Sequence, residues 1–508
     1  MSLGNKYIKN SFFNVAGWLW LAVISFATIP YIVNKLGYDA YGVLTLVLMV
    51  LGYFAFLDFG LGEAVIKYIA QYHALKNFEK MNRILNSILF LFVIVGIVGA
   101  VGIVLFTEFF ALRLFRIPLP LVEDTRFCFF LAAAGFSFNL ILGVISKIPE
   151  AVQRFDISNR NSVITGTIVS VGNVALLALG YGLRAIVVMN LLVEILGIGL
   201  FYYASKQLIP ELRVGLRFHY EDFKEVMHFG LYTIFTKFSG VIMNTVNQLV
   251  VGFVIGPVGV AIFNVPFRVI TRFNGLIYRI AFVIFPVSSE LHATDNMETL
   301  RASYLKLSKF VFLLSSILFL PVAAFATEIL RYWMGADFAS RGATVMLYCC
   351  LAFYFISFTM VPSLVVLGMG RAKFNAVFSS VTAAINIIFV YPFSITWGVD
   401  GAAGALLLSS LLFPLYIHSV NRNILKVSSW GYFKTTFGGM VFINLLFFIL
   451  VKYFIAPFAT SLLLFLAVLA FCYVVITALV YFLGLGRDDR RMIRDRVGFF
   501  TRRRGNGG

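Results

Sequence analysis

The sequence is poor in the residues that most soluble chemistry draws on. Its four cysteines, Cys128, Cys349, Cys350 and Cys472, all fall in apolar stretches. They show neither a disulfide framework nor a metal-ligand spacing, and read as buried apolar thiols. The five histidines are scattered, with no HExxH and no zinc set. There is no Walker phosphate loop and no dinucleotide fingerprint, so no motif for ATP or NAD is present and no cofactor is expected. Charged residues make up only 13% of the chain, and acids number 23 against 41 lysines and arginines. No connection between apolar runs is long enough for a separate soluble domain, which argues against an enzyme that gathers its acids on a large loop at one membrane face.

What fills the chain instead is apolar surface: 60% hydrophobic residues, 17% aromatic, and a mean hydropathy of +0.92. Runs near the roughly 20 residues that a bilayer-spanning helix needs recur about fourteen times. They predict spans at 12–33, 41–66, 84–107, 125–147, 161–180, 184–203, 227–252, 260–286, 305–326, 343–367, 375–395, 401–420, 436–455 and 460–483. The first run follows Lys6 and Lys9 but is too long for a signal peptide and lacks a clear A-x-A site, so it is read as the first span.

The net charge of +18 is not spread as a nucleic-acid binder would spread it, and no nucleic-acid partner is expected. Alternate connections form one set with about 28 lysines and arginines and another with about 7. The rich set includes the N-terminus and a tail with eight arginines, and without the tail the bias persists at about 20 to 7. This asymmetry predicts a multi-pass protein of the cytoplasmic membrane with both termini in the cytoplasm. The tail itself reads as a solvated basic segment in reach of anionic membrane lipids, with Phe499 and Phe500 as shallow anchors.

Six basic residues lie in or beside spans. Lys309 and Lys452 sit near span ends and can snorkel to the interface. Arg268, Arg272 and Arg279, in the eighth span, are spaced by four and seven, which places them within about 40° on one helical face. A cation at bilayer depth costs at least a few kcal/mol and therefore faces a cavity, a partner or a substrate. Three on one face point to a water-filled cavity for a large anion such as phosphate or an acidic sugar, since the planar guanidinium fork bonds phosphate oxygens in pairs. The competing reading is ion pairing with acids on other helices. In the seventh span Thr233, Lys237, Gly240, Asn244, Asn247 and Gln248 recur at three and four, a polar stripe that faces protein or water and not lipid. Lys237, near the middle of that span, together with Asn244 and Gln248, is a further substrate-binding candidate.

Three intramembrane acids are candidates for gating or ion coupling: Asp58 and Glu63 in the LDFGLGEAVIKY segment that closes the second span, and Glu194 in the sixth. Glu63 and Lys67 are also four apart in the orientation that favours a helical pair.

The longest connection on the basic side, 204–226, divides the chain. The expected organisation is an N-terminal six-helix lobe (1–203), a linker (204–226), a second six-helix lobe (227–420), two additional spans (421–483) and a basic tail (484–508). The halves are weakly repeated. Without gaps, Gly37 lies over Gly256 and Tyr72-His73-Ala74 over Leu291-His292-Ala293; further on, Gln153-Arg154-Phe155-Asp156 faces Gly370-Arg371-Ala372-Lys373, and Tyr181-Gly182-Leu183-Arg184 faces Trp397-Gly398-Val399-Asp400. An even number of helices per repeat makes the repeat parallel, and in such transporters the substrate site lies near the bilayer midplane between the repeats.

Fourteen spans as two lobes of six plus two, the DFGLG segment and the basic QRFD turn resemble the polysaccharide-export branch of the MOP superfamily, which includes the Wzx-type O-antigen and capsule-unit flippases. The resemblance runs over essentially the whole chain. It implies an all-α, MATE-like fold and translocation of an undecaprenyl-pyrophosphate-linked oligosaccharide from the cytoplasmic to the outer leaflet. Alternating access and proton or sodium coupling come with it, as do a polysaccharide polymerase or glycosyltransferases as partners. On that reading Lys237, Arg268, Arg272 and Arg279 hold the anionic headgroup, Asp58 and Glu63 gate or couple, and Arg154 and Arg371 stand at the cytoplasmic entrance. Two rivals share the architecture: a lipid II flippase, and a multidrug or cation antiporter. The antiporter calls for acidic cavity residues where this chain has basic ones.

Overall fold

A computed structural model describes residues 3–54, 61–221, 224, 245–486 and 489–491, apart from the side chains of 3–16, 18, 52–54, 61–64, 286 and 293. The described residues are helix and turn, with no strand. In chain order the helices are α1 (Leu3–Phe54), α2 (Leu61–Ala74), α3 (Phe78–Glu108), α4 (Leu119–Ile145), α5 (Lys147–Ala151), α6 (Phe155–Ala178), α7 (Leu183–Leu208), α8 (Thr245–Val254), α9 (Pro257–Ala281) and α10 (Ile284–Ala293). There follow α11 (Met297–Ala324), α12 (Ala326–Met334), α13 (Ala336–Ser357), α14 (Met360–Gly368), α15 (Ala372–Ser410), α16 (Phe413–Val420), α17 (Ser429–Thr436), α18 (Met440–Leu450) and α19 (Leu462–Leu479).

Ten described stretches are long and apolar enough to cross a bilayer. Two of them, Leu19–Leu51 and Ala372–Leu425, are broken by a glycine and hold two predicted spans each. The breaks are at Gly37 (φ 78°, ψ 164°) in α1 and Gly398 (φ 60°, ψ −136°) in α15, conformations that a Cβ makes costly. The ten stretches thus carry twelve of the fourteen predicted spans. α9 is the eighth, kept out of the apolar set by its arginines, and α8 is the described end of the seventh.

Two compact units emerge, one of residues 1–265 with 390–402, the other of 266–389 with 403–508. In the first, α3 packs on α4, α4 on α7, and α6 on both α1 and α7. The turn at Gly256 brings the start of α9 against α1 so closely that a Cβ on Gly42 would overlap the Pro257 carbonyl. The segment after α7 is strapped to the polar edge of α3. Asn82 bonds the Glu211 carbonyl and the Arg213 amide, Asn86 accepts from the Gly215 amide and Ser87 from the His219 amide, at 2.8–3.0 Å.

In the second unit α11 is the hub, packed by α13, α14, α17, α18 and α19. Asn444 of α18 donates to Ser316 Oγ of α11 (2.8 Å) and Tyr354 Oη of α13 (3.1 Å), all three buried. Such a polar knot holds apolar helices together where lipid offers no hydrophobic drive for association. It is how the thirteenth span joins the lobe. Lys306 and Lys309 lie 3.7 and 3.6 Å from Asp489, so the start of the tail is tied to α11, where the sequence alone reads as solvated. All four cysteines are buried and free.

The repeat is written in the backbone. Lys76 (φ 53°) and Asp295 (φ 54°) are left-handed, and each precedes an asparagine N-cap, Asn77 and Asn296, whose side chain accepts from the amide three residues on. Gln153 (φ 59°) and Gly370 (φ 74°) are left-handed and each precedes an arginine: Arg154 (φ −97°, ψ 58°) caps α6, and Arg371 (φ −95°, ψ 41°) caps α15. Gly37 and Gly256 match as aligned (φ 78° and 92°). Gly398 corresponds to left-handed Gly180 (φ 88°), not to Gly182, which is extended, so this last match shifts by two residues.

Candidate functional site

α9 starts where left-handed Gly256 ends the preceding turn and Pro257 supplies a first helical residue that needs no amide partner. One side of the helix is buried through Val260, Phe263, Phe267, Ile270 and Ile277, while Arg268, Arg272 and Arg279 are exposed. The predicted single face holds: the three guanidiniums rise along roughly 16 Å of helix within about 40°. Gly275 lies on the same face between Arg272 and Arg279 and adds no side chain to it. Among the described residues neither Arg268 nor Arg272 has an acid or a hydrogen-bond partner for its guanidinium. For these two, no ion pair among the described residues accounts for the charge. Four residues apart on one helix, they also repel each other.

Of the stripe on the seventh span, Lys237 and Asn244 lie outside the described residues. Gln248 is buried on α8, and its neighbour Asn247 is fully buried with both amide atoms unpaired among the described residues. Asn264, one turn before Arg268, likewise has a buried Oδ1 without a partner.

Asp58 also lies outside the described residues. Glu63 is on α2, but its side chain is not described, and the expected Glu63–Lys67 pair lies outside the described residues with it. Glu194 is placed: half-buried on α7, its Oε1 accepts from Asn139 Nδ2 of α4 at 3.3 Å. One turn earlier on α4, Gly135 leaves the space that Glu194 occupies, since a Cβ there would lie 3.2 Å from Oε2. A carboxylate with one amide donor and a glycine-made niche has unused acceptor capacity for a proton or cation. No group of three or more metal-ligating side chains occurs among the described residues.

Arg154 and Arg371 occupy equivalent caps in the two halves but not equivalent surroundings. Arg154 Nε and Nη2 donate to the two carboxylate oxygens of Asp156 at 2.9 Å each, and Asp156 raises the pKa of the guanidinium. The adjoining cleft, about 770 Å³, is also lined by Asn159, Arg160 and Gln207. Arg371 and Lys373 are exposed and have no acidic partner among the described residues. They stand at the mouth of a second cleft, about 640 Å³, between α15 and α16. Sequence reasoning missed Asn139, Gly135 and both clefts, whose parts lie far apart in the chain.

Three comparisons with known proteins bear on this arrangement. The family model described as "Polysaccharide biosynthesis protein" matches residues 7–292. A Shigella flexneri protein named "Putative O-antigen transporter" is 22% identical over 397 residues, covering 78% of this chain and 93% of that protein. Among solved structures, the lipid II flippase MurJ in an inward closed conformation superposes with a TM-score of 0.71 at 13% identity, over 93% of this chain and 99% of MurJ. An inward-facing multidrug resistance MATE family transporter of the MOP superfamily gives 0.66 at 17% identity, over 82% and 95%. At these identities the two structures speak to the fold alone, and that fold is the one expected from the spans.

Proposed function

Because this chain belongs to the polysaccharide biosynthesis protein family, with a MATE- and MurJ-like membrane fold, we propose that it is a flippase for a polyprenyl-pyrophosphate-linked oligosaccharide. The cargo is a repeat unit of O-antigen, capsule or exopolysaccharide, moved by alternating access across a bacterial cytoplasmic membrane with both chain termini on the cytoplasmic side. The observation that carries this reading is the exposed arginine face of α9, with Arg268 and Arg272 lacking acidic partners among the described residues. A pyrophosphate is a large, permanently charged anion that must shed water to move through a membrane protein. Guanidiniums spaced over about three turns replace that water with fork-shaped donors and hand the anion along the helix. Lys237, Asn244 and Gln248 complete the headgroup site, and Arg154 gathers the anion at the cytoplasmic entrance.

Asp58, Glu63 and Glu194 gate the site or couple it to protons or sodium. Glu194 is the best-supported of the three, since its niche against Gly135 and Asn139 leaves acceptor positions open. The relative named as an O-antigen transporter supports surface polysaccharide over the lipid II reading, and the basic face argues against a cation antiporter. A polymerase or glycosyltransferases acting on the same repeat unit are the natural partners.

The test is flipping of a fluorescent polyprenyl-pyrophosphate-oligosaccharide in proteoliposomes, run beside lipid II and an organic cation. Movement of the oligosaccharide carrier alone supports the proposal. Movement of lipid II at equal or higher rate, or of the organic cation alone, overturns it.

A further inference from the structure

The walls that α6 and α15 give to the two clefts, beside Arg154 and Arg371, are the same place in two copies of one half, and they have diverged in charge. With Arg154 laid on Arg371, Asp156 becomes Lys373, Arg160 becomes Val377 and Asn161 becomes Phe378. The carboxylate that neutralises the first arginine is replaced by a second cation. The adjacent polar positions in the second turn of the helix, Arg160 and Asn161, become apolar. We propose that the cleft between α15 and α16 is a binding site for one anionic glycerophospholipid, its phosphate on Arg371 and Lys373 and one acyl chain along the groove behind them.

The geometry suits a headgroup above a tail. Arg371 and Lys373 are exposed at the N-terminal end of α15, which has no side-chain cap, so its first amides add to the attraction for an anion. The walls beyond are apolar, with Val377 and Leu415 exposed and Phe378 between them. The floor is rigid: Phe378 packs 4.3 Å from the ring of Tyr416, whose hydroxyl donates to Asn375 Oδ1 at 2.6 Å, while Asn375 Nδ2 donates to the Ser363 carbonyl at 2.8 Å. Tyr416, itself buried, is thereby fixed in the groove's lining. A basic pocket between membrane helices on the side rich in lysine and arginine is where anionic lipid headgroups are held. The site does not depend on what the protein transports.

The test uses the full chain, purified in a non-ionic detergent, with photoactivatable phosphatidylglycerol carrying its diazirine on one acyl chain. Cross-linked peptides are mapped for the wild type, for Arg371→Gln/Lys373→Gln, for Val377→Trp and for Arg154→Gln. The expected result is labelling within 371–381 and 412–419. It falls on the order of tenfold in the double variant. It is displaced from the groove in Val377→Trp, which keeps both cations, and unchanged in Arg154→Gln. A phosphatidylcholine probe labels these peptides only at background. Equal labelling by the two lipids, or labelling that survives the double substitution, overturns the proposal. So does displacement by millimolar inorganic phosphate, which would make the site a simple anion pocket. Displacement by equimolar polyprenyl phosphate would assign it to the carrier lipid instead.

Discussion

Replacing Arg272 by alanine separates a binding role from a structural one, because the two predict opposite signs for stability. The residue is exposed, lacks an acidic partner among the described residues and sits one turn from Arg268. A like-charge pair at this spacing destabilises a helix by about 0.2–0.5 kcal/mol, so Arg272→Ala leaves the melting temperature unchanged or raises it by about a degree. Transport suffers. A hydrogen bond from a charged donor contributes about 1.5–3 kcal/mol, and each 1.4 kcal/mol is tenfold in affinity. The concentration of lipid-linked oligosaccharide giving half-maximal flipping should therefore rise by roughly tenfold to a hundredfold. Arg272→Lys keeps the charge, loses the fork and falls between. The assay is the initial flipping rate against substrate density in proteoliposomes, with thermal unfolding of the same preparations followed by tryptophan fluorescence. A fall in melting temperature of many degrees in Arg272→Ala would refute the reasoning, because only removal from a buried ion pair costs about 3–5 kcal/mol. Unchanged flipping at every substrate density would refute it equally.

Three further outcomes are expected. Alanine at Gly37 or Gly398 forces a side chain into a backbone region that costs about 1–3 kcal/mol, and should lower the yield of monodisperse protein and its melting temperature; equal yield and melting would show that the chain re-forms a continuous helix there. Asn444→Leu removes the donor shared by Ser316 and Tyr354 and should cost about 1–2 kcal/mol, read as faster proteolysis in the α18–α19 region, whereas an unchanged cleavage pattern would mean that packing alone holds those helices. If Glu194 carries the coupling ion, Glu194→Gln keeps its shape and its bond with Asn139 yet leaves flipping insensitive to a proton or sodium gradient; a variant that still responds to both gradients removes Glu194 from the coupling role.

The fold was legible because bilayer spans are the strongest signal a sequence carries, and their number and alternating charge follow from hydropathy and lysine placement alone. The arginine face was legible for the same reason, since helical period maps sequence spacing onto direction without any tertiary knowledge. Left-handed turns were half legible. Gly37, Gly256, Gly370 and Gly398 announce themselves, but Lys76, Gln153 and Asp295 adopt the same backbone with side chains that give no hint of it. Long-range partners were not legible. Asn139 lies 55 residues from Glu194, and nothing local marks it as the donor. The lipid groove was hidden too, because Lys373 reads as one more basic residue in a basic turn until its counterpart, Asp156, is seen holding Arg154.

The strapping of the segment after α7 to α3 bears on how the protein can be engineered. A long connection between membrane helices is the customary place to insert a fluorescent reporter or a protease site, on the assumption that it is spare rope. Between Glu211 and His219 it is not, for its backbone groups are spoken for by Asn82, Asn86 and Ser87. An insertion there would strip three polar side chains on α3 of their partners, and a loss of flipping would then report a broken seam and not a blocked cycle.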